Sequence, residues 1–391
     1  MNLVDHMNQK LKLVKPSPIL SFSVLADQTP GAVNFTVGEP DFATPEHVKE
    51  AAITSIQANR SHYAPSNGIS ELKEAASNFL KQKYDQDYSP EEIIVTCGAS
   101  EAIYTIILSV LNAGEKVLIP TPCFPLYIAD TMIAGGQPVL IDTSATDFKL
   151  TPDLLQETLD RESDSVRLLV LNYPVNPTGV TYSQEELNAL ADVVRGRDIF
   201  LMCDEIYSEL NYDQKHASLA KTLPEQTILV TGVSKSHAMT GWRIGLLCAP
   251  KAITQELGKI HQFTITTAAT VTQDAAREAL ENGPDDCQPM KAEYQKRRDY
   301  IMQVLTNLGF TGPQPRGAFY IFTQIPQDLN QDDVAFAQDL LQEGKVAAVP
   351  GSYFGPGGEG CLRFSYATSQ DNVERGMKLL QEYVQKQRAA Q

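Results

Sequence analysis

From about residue 90 the chain alternates short, nearly uninterrupted apolar runs with longer segments of helical periodicity. The runs are Ile93–Thr96, Lys116–Ile119, Pro138–Ile141, Arg167–Leu171, Ile199–Cys203, Ile228–Val230 and Ile244–Cys248. Strands with little polar alternation are buried on both faces. The runs therefore predict a mostly parallel sheet with helices on either side. One intervening helix is well delimited: Ser183-Gln184-Glu185-Glu186 is a capping box, and Leu187, Leu190, Ala191 and Val194 form one apolar stripe. Upstream, the first forty residues read as proline-rich loop ending in a short strand, Val33–Val37. Thr44-Pro45 predicts a helix start, with a capping hydroxyl and proline at the first helical position. A further helix begins near Ser70, carrying Leu72, Ala75, Ala76, Phe79 and Leu80 at helical spacing.

Past about residue 283 the pattern changes. A polar helix, Met290–Leu308, leads to a strand at Gly317–Phe322, a helix at Val334–Glu343, strands at Val346–Val349 and Cys361–Tyr366, and a last helix from about Asn372. This predicts a smaller α+β domain after an α/β one. Repeats and low-complexity tracts are absent from the pattern. Gly355-Pro356-Gly357-Gly358 reads as a surface turn, since it neither follows a clear strand nor opens a helix.

Length and charge narrow the picture. A chain of 391 residues has room for two domains. Its 42% hydrophobic and 20% charged residues are ordinary for a globular protein. With a net charge of −16 it would be repelled by nucleic acid and by anionic membrane, so neither is expected as a partner. Residues 1–20 carry no sustained apolar stretch, so neither a signal peptide nor a membrane span is expected. The six cysteines, Cys97, Cys123, Cys203, Cys248, Cys287 and Cys361, form no CxxC pair. They read as reduced core thiols of a cytoplasmic protein, with no disulfide frame and no metal site.

Candidate chemistry gathers at the ends of the apolar runs, where parallel sheets bind ligands. Lys235 sits in a loop of small and hydroxyl residues between two such runs, an unusual place for a lysine unless it is paired or used; a solvated loop lysine is the plain alternative. Gly98-Ala99-Ser100 joins a strand to a helix, an arrangement whose backbone amides bind anions. Phe124 could stack on an aromatic ligand or simply pack. Asn176, fixed by a following proline, could be turn chemistry alone. Asp204 ends a buried strand and needs a cationic partner, whether a ligand, an arginine or a helix cap.

Taken in order, GEPDF, SHYAPSNGI, VTCGASEA, PTPCFPLY, NYPVNPTG, DEIY, SKSHAMTGWRIG and LRFSYA span residues 38–367. The ordered set resembles the class I pyridoxal-phosphate-dependent aminotransferases of fold-type I, in the bacterial aromatic and aspartate-like subgroup. The resemblance implies an α/β fold whose large domain, 46–283, holds a mixed, mainly parallel seven-stranded sheet. A smaller α+β domain is built from an N-terminal segment, 1–45, and from 284–391. It implies pyridoxal 5′-phosphate as cofactor, carried by Lys235, which also moves the proton between substrate and cofactor. Asp204 pairs with the ring nitrogen, Tyr207 and Asn176 bond the ring oxygen, and Phe124 stacks on the ring. Gly98, Ala99, Ser100, Ser234 and Arg243 hold the phosphate. Tyr63 reaches the phosphate of a neighbouring subunit, which implies a homodimer with shared active sites. Arg363, with the Gly38 backbone and Asn176, binds the substrate α-carboxylate; strand alternation alone would equally allow an outward arginine.

The implied reaction is reversible, ping-pong transfer of an amino group from an L-amino acid to a 2-oxo acid such as 2-oxoglutarate. Some aspartate enzymes of the subgroup carry a lysine where this chain has Ser100. An aromatic or broadly neutral donor is therefore expected first, with N-acyl-diaminopimelate or aspartate as alternatives. A carbon–sulfur lyase would share Lys235, Asp204 and Arg363. A regulator with a captured aminotransferase domain would need a DNA-binding domain, for which some forty acidic-chain residues leave little room.

Overall fold

The computed structural model describes residues 3–162 and 165–390. After two short 3-10 turns comes α1 (Pro18–Gln28), which begins with the Ser17 hydroxyl accepting from the Leu20 amide and Pro18 at the first helical position. This corrects the loop expected over the first forty residues. β1 (Val33–Asn34) is shorter than the strand expected there. α2 (Glu46–Gln57) follows Pro45 without a side-chain cap. The Thr44 hydroxyl instead donates to the Ala238 carbonyl at 2.8 Å and accepts from Trp242 Nε1 at 3.1 Å. Distant partners thus drew away the residue expected to cap the helix. α3 (Ser70–Tyr84) buries its expected stripe.

All seven apolar runs form strands of one sheet. In chain order come β2 (Ile93–Thr96), α4 (Gly98–Val110), β3 (Lys116–Thr121), α5 (Leu126–Ala134), β4 (Gln137–Asp142), α6 (Pro152–Glu162), β5 (Val166–Asn172), α7 (Gln184–Val194), β6 (Phe200–Asp204), β7 (Thr227–Thr231) and β8 (Gly245–Cys248). The capping box forms as expected: the Glu186 amide donates to Ser183 Oγ at 3.2 Å and the Ser183 amide to Glu186 Oε2 at 2.7 Å. The sheet order is β2-β8-β7-β6-β5-β3-β4. Pairing is parallel from β7 to β4, and β8 runs antiparallel to both its neighbours. Successive residues serve opposite faces. Leu118, Leu169 and Leu201 join a core with α6 and α7, whereas Val117, Val170 and Met202 join one with α4, α5 and α8 (Lys251–Ile265).

The remaining elements are α9 (Thr270–Asn282), α10 (Cys287–Asn307), β9 (Tyr320–Gln324), α11 (Asp333–Gln342), β10 (Val346–Ala347), β11 (Val349–Pro350), β12 (Cys361–Ser365) and α12 (Gln370–Ala389). β9 starts later than expected because Gly317 instead bridges Asn211 across the chain. The single run expected at Val346–Val349 divides at Ala348. β10 pairs in parallel with β1, while β11 joins β12 and β9 in an antiparallel sheet. Phe22, Val33 and Phe35 share one core with Phe319, Phe364 and Val373, so the two ends of the chain pack together. Among the described residues, no helix is long and apolar enough to cross a membrane.

Candidate active site

Because β8 is antiparallel, its first residues lie at the same sheet edge as the last residues of β2, β6 and β7. A cavity of about 830 Å³ opens at this edge. Of the residues expected in a site, Gly38, Ala99, Ser100, Phe124, Asn176, Asp204, Tyr207, Ser234, Lys235, Arg243 and Arg363 line it. Gly98 stands behind Arg243. Its φ is +77°, and a Cβ there would lie 2.5 Å from Arg243 Nη2, so the close approach needs glycine. Gly245 has the same reason: a Cβ would fall 2.6 Å from the Gly98 carbonyl carbon. Tyr63 takes no part in the lining and is 87% exposed.

Lys235 follows β7 and points its amine at the Gly38 carbonyl, 2.7 Å away. The Tyr207 and Phe319 ring centroids are each 5.8 Å from that nitrogen. Burial pushes the amine down to about 8; Arg243 and Arg363 push the same way, and Glu39 and Asp204 oppose them. The lysine is thus a partly neutral nucleophile near neutral pH.

Asp204 is the last residue of β6, in register with Asn172 on one side and Val230 on the other. Its carboxylate accepts from the Tyr127 hydroxyl at 2.7 Å and from the Ile206 amide at 3.2 Å. Burial raises the carboxyl to about 6, and these two hydrogen bonds and Lys235 hold it from rising further. A cationic ring nitrogen placed against it would favour the ionised form.

Arg363 faces inward and is 3% exposed, which rules out the outward charge that alternation allowed. Nη1 donates to Asn176 Oδ1 at 3.0 Å and Nη2 to the Thr36 carbonyl at 2.6 Å. The guanidinium lies 4.5 Å from the Tyr320 ring centroid and 4.9 Å from that of Phe354. Its buried Nε has no hydrogen-bond partner among the described residues, which leaves a donor that an incoming anion could meet.

Some contributors were not singled out in the sequence. Tyr127 lies within the PTPCFPLY motif, three residues after Phe124, and orients Asp204. Tyr320 bonds the Tyr207 hydroxyl at 2.9 Å and stacks on Arg363. Asn172 shapes the turn before Asn176, accepting its amide at 2.9 Å and donating to the Asp204 carbonyl at 2.9 Å. Leu13 to Leu20 also line the cavity. A pattern of periodicity carries no signal for such cross-chain contacts.

The donor set fits a phosphorylated pyridine aldehyde. It offers an amine of lowered pKa, a buried carboxylate, a helix start beside an arginine, and a flat ring at Phe124. The chain matches the model of the family aminotransferase class I and II over residues 30–380. It is 43% identical over 389 residues to a probable N-acetyl-LL-diaminopimelate aminotransferase of Bacillus subtilis, covering 99% of this chain and 98% of that one. It is 35% identical to aromatic-amino-acid aminotransferase 2 of Thermococcus litoralis, over 98% of this chain and 99% of that one. The aspartate aminotransferase of Thermus thermophilus with maleate superposes with a TM-score of 0.91 at 34% identity, over 96% of this chain and 99% of that one. The family implies pyridoxal phosphate as cofactor, with amino and 2-oxo acids as substrates. This chain belongs to the class I and II aminotransferases and is a transaminase.

Proposed function

We propose that the cavity binds pyridoxal 5′-phosphate and transfers the amino group of an L-amino acid with an aromatic or large neutral side chain to a 2-oxo acid such as 2-oxoglutarate. The observation that carries the reading is the apolar part of the lining, Leu13, Ile19, Ile103, Leu126 and Met132, together with Ser100, which offers a hydroxyl and no charge. Bound there, the cofactor supplies an electron-withdrawing ring and an aldehyde through which amino groups are exchanged.

The protein's residues supply the rest. The amides of Gly98, Ala99 and Ser100, with Ser234 and Arg243, hold the phosphate. Asp204 would pair with the ring nitrogen, and Tyr127 keeps Asp204 in place. Asn176 and Tyr207 would hydrogen-bond the ring oxygen, and Phe124 would stack on the ring. Lys235 would hold the aldehyde, and its amine is the base that would move the α-proton of the substrate. Arg363 grips the α-carboxylate in a planar fork, with Gly38 and Asn176 beside it. Tyr63, exposed on its own subunit, completes the phosphate site of a partner in a homodimer.

A second reading has one specific observation in its favour. Of the four basic side chains that line the cavity among the described residues, Lys235, Arg243 and Arg363 have roles above, and Lys15 remains. A terminal carboxylate on a long donor would meet it. The Bacillus subtilis relative points the same way, toward an N-acyl-diaminopimelate donor. Single-turnover rates of the cofactor-loaded enzyme with phenylalanine, methionine, aspartate and an N-acyl-diaminopimelate decide between them. Aromatic and neutral donors are expected to react fastest. Aspartate far ahead of all others would overturn both readings, and the acylated donor far ahead would replace the first by the second.

A further inference from the structure

His261 lies outside the cavity, in the third turn of α8, and its side chain is fully buried. Both ring nitrogens face acceptors. Nδ1 is 3.1 Å from Glu101 Oε1, and Nε2 is 2.8 Å from the Ser66 carbonyl. A neutral imidazole has one donor and one acceptor, so it satisfies only one of these and turns a lone pair toward the other. Glu101 is held as an acceptor by further donors. The Cys97 amide reaches Oε2 at 3.1 Å, and the Thr105 hydroxyl reaches Oε1 at 2.7 Å. Both carboxylate oxygens are thus engaged as acceptors. Burial opposes charge on the ring, but the bonds to Glu101 and the Ser66 carbonyl outweigh it and raise the histidine above its ordinary range.

The position of Glu101 gives this a consequence. It lies in the first turn of α4, directly after Gly98, Ala99 and Ser100. A carboxylate there suits the helix end but repels any anion arriving at the same end. Glu101 is the charged side chain that faces His261 among the described residues. On its other side the ring holds the loop before α3. That loop is pinned further by the Asn67 carbonyl, which accepts from the Val95 amide at 3.1 Å.

We propose that His261 is a positioning residue for the phosphate end of the site: a buried imidazolium that neutralises Glu101 in the first turn of α4 and ties that turn to the Ser66 loop. The proposal rests on the reading of the α4 start as the phosphate seat. The same loop region carries Tyr63, so one histidine would brace the phosphate end of its own subunit and the segment offered to the partner.

Two measurements on the full chain test it. Nitrogen-15 spectra of histidine-labelled protein should contain one signal set, lost in H261N, with both ring nitrogens still protonated above the pH at which an ordinary histidine, of pKa about 6.5, loses its proton. Titration of the apoenzyme with pyridoxal 5′-phosphate should show H261N binding about tenfold more weakly, within the range of a partly buried charge at a helix end. E101Q should bind no more weakly than the native chain and should let His261 lose its proton at a lower pH than in the native chain. The E101Q/H261N double variant should regain most of the affinity that H261N loses. A neutral His261 ring at pH 7 would overturn the charge assignment, even if affinity fell. No recovery in the double variant would reduce His261 to a packing role. A charged ring with unchanged cofactor affinity in H261N would overturn the positioning role, whereas unchanged affinity in Arg243→Ala would overturn the reading of the α4 start as phosphate seat.

Discussion

Arg363→Lys keeps the charge and removes the fork. In the native site Nη1 and Nη2 are already committed to Asn176 and the Thr36 carbonyl, and Nε is buried without a partner among the described residues. A lysine has one nitrogen and cannot hold both fixed acceptors while presenting a second donor to a carboxylate. At least one charge-assisted bond is lost, about 1.5–3 kcal/mol. The stacking of the guanidinium on Tyr320 and Phe354 is weakened, roughly 0.5–1 kcal/mol more. Together these come to about 2–4 kcal/mol, or about 30-fold to 1000-fold in kcat/KM for the amino acid. The assay is single-turnover amino transfer as a function of donor concentration, beside a thermal melt of the same variant. A carboxylate fork predicts a large fall in kcat/KM with the cofactor still bound. A variant within about threefold of the native kcat/KM would show that Arg363 does not grip the substrate, because a lone ammonium could not match the lost geometry.

Two further outcomes follow from the same surroundings. With its amine pushed down to about 8, Lys235 is protonated below that pH and neutral above it. Capture of pyridoxal phosphate by the apoenzyme, followed by absorbance, should therefore speed up as pH rises through about 8 and level off beyond, and Lys235→Ala should abolish it; a flat profile between about pH 7 and 9 would refute the assignment. Burial pushes the thiols of Cys123, Cys287 and Cys361 up to about 12, and those of Cys203 and Cys248 higher still, while Cys97 is half-buried. Iodoacetamide should label Cys97 first and the other five only after denaturation, as peptide mapping would show; rapid native labelling of any buried thiol would contradict the packing described.

Much of the fold was legible because local rules and tertiary structure agreed. Both faces of the central strands are buried, so hydrophobicity alone marked all seven. Where they disagreed, the sequence misled. Ser17-Pro18 and Thr44-Pro45 carry the same helix-start chemistry, yet only Ser17 caps its helix, because Thr44 is taken by Ala238 and Trp242. Val346–Val349 is one apolar run, but its two halves pair with different strands. Within the site, Lys235 and Asp204 stood out as charges in apolar surroundings, whereas Arg363 was marked only by the family resemblance. Tyr127 and Tyr320 did not, since a buried tyrosine is ordinary in a core and only its hydroxyl partner reveals its part.

The sequence by itself determined the order and apolar identity of the strands, the ionisable residues at their ends and the family. The tertiary structure alone decided that they meet. β8 reverses direction, which brings Arg243 back to the edge where β7 delivers Lys235 and β6 delivers Asp204. β12 turns Arg363 inward because Leu362 and Phe364 fill the core on its other face. A pKa near 8 for the lysine is likewise a property of the folded site, set by burial and by arginines and carboxylates distant in the chain.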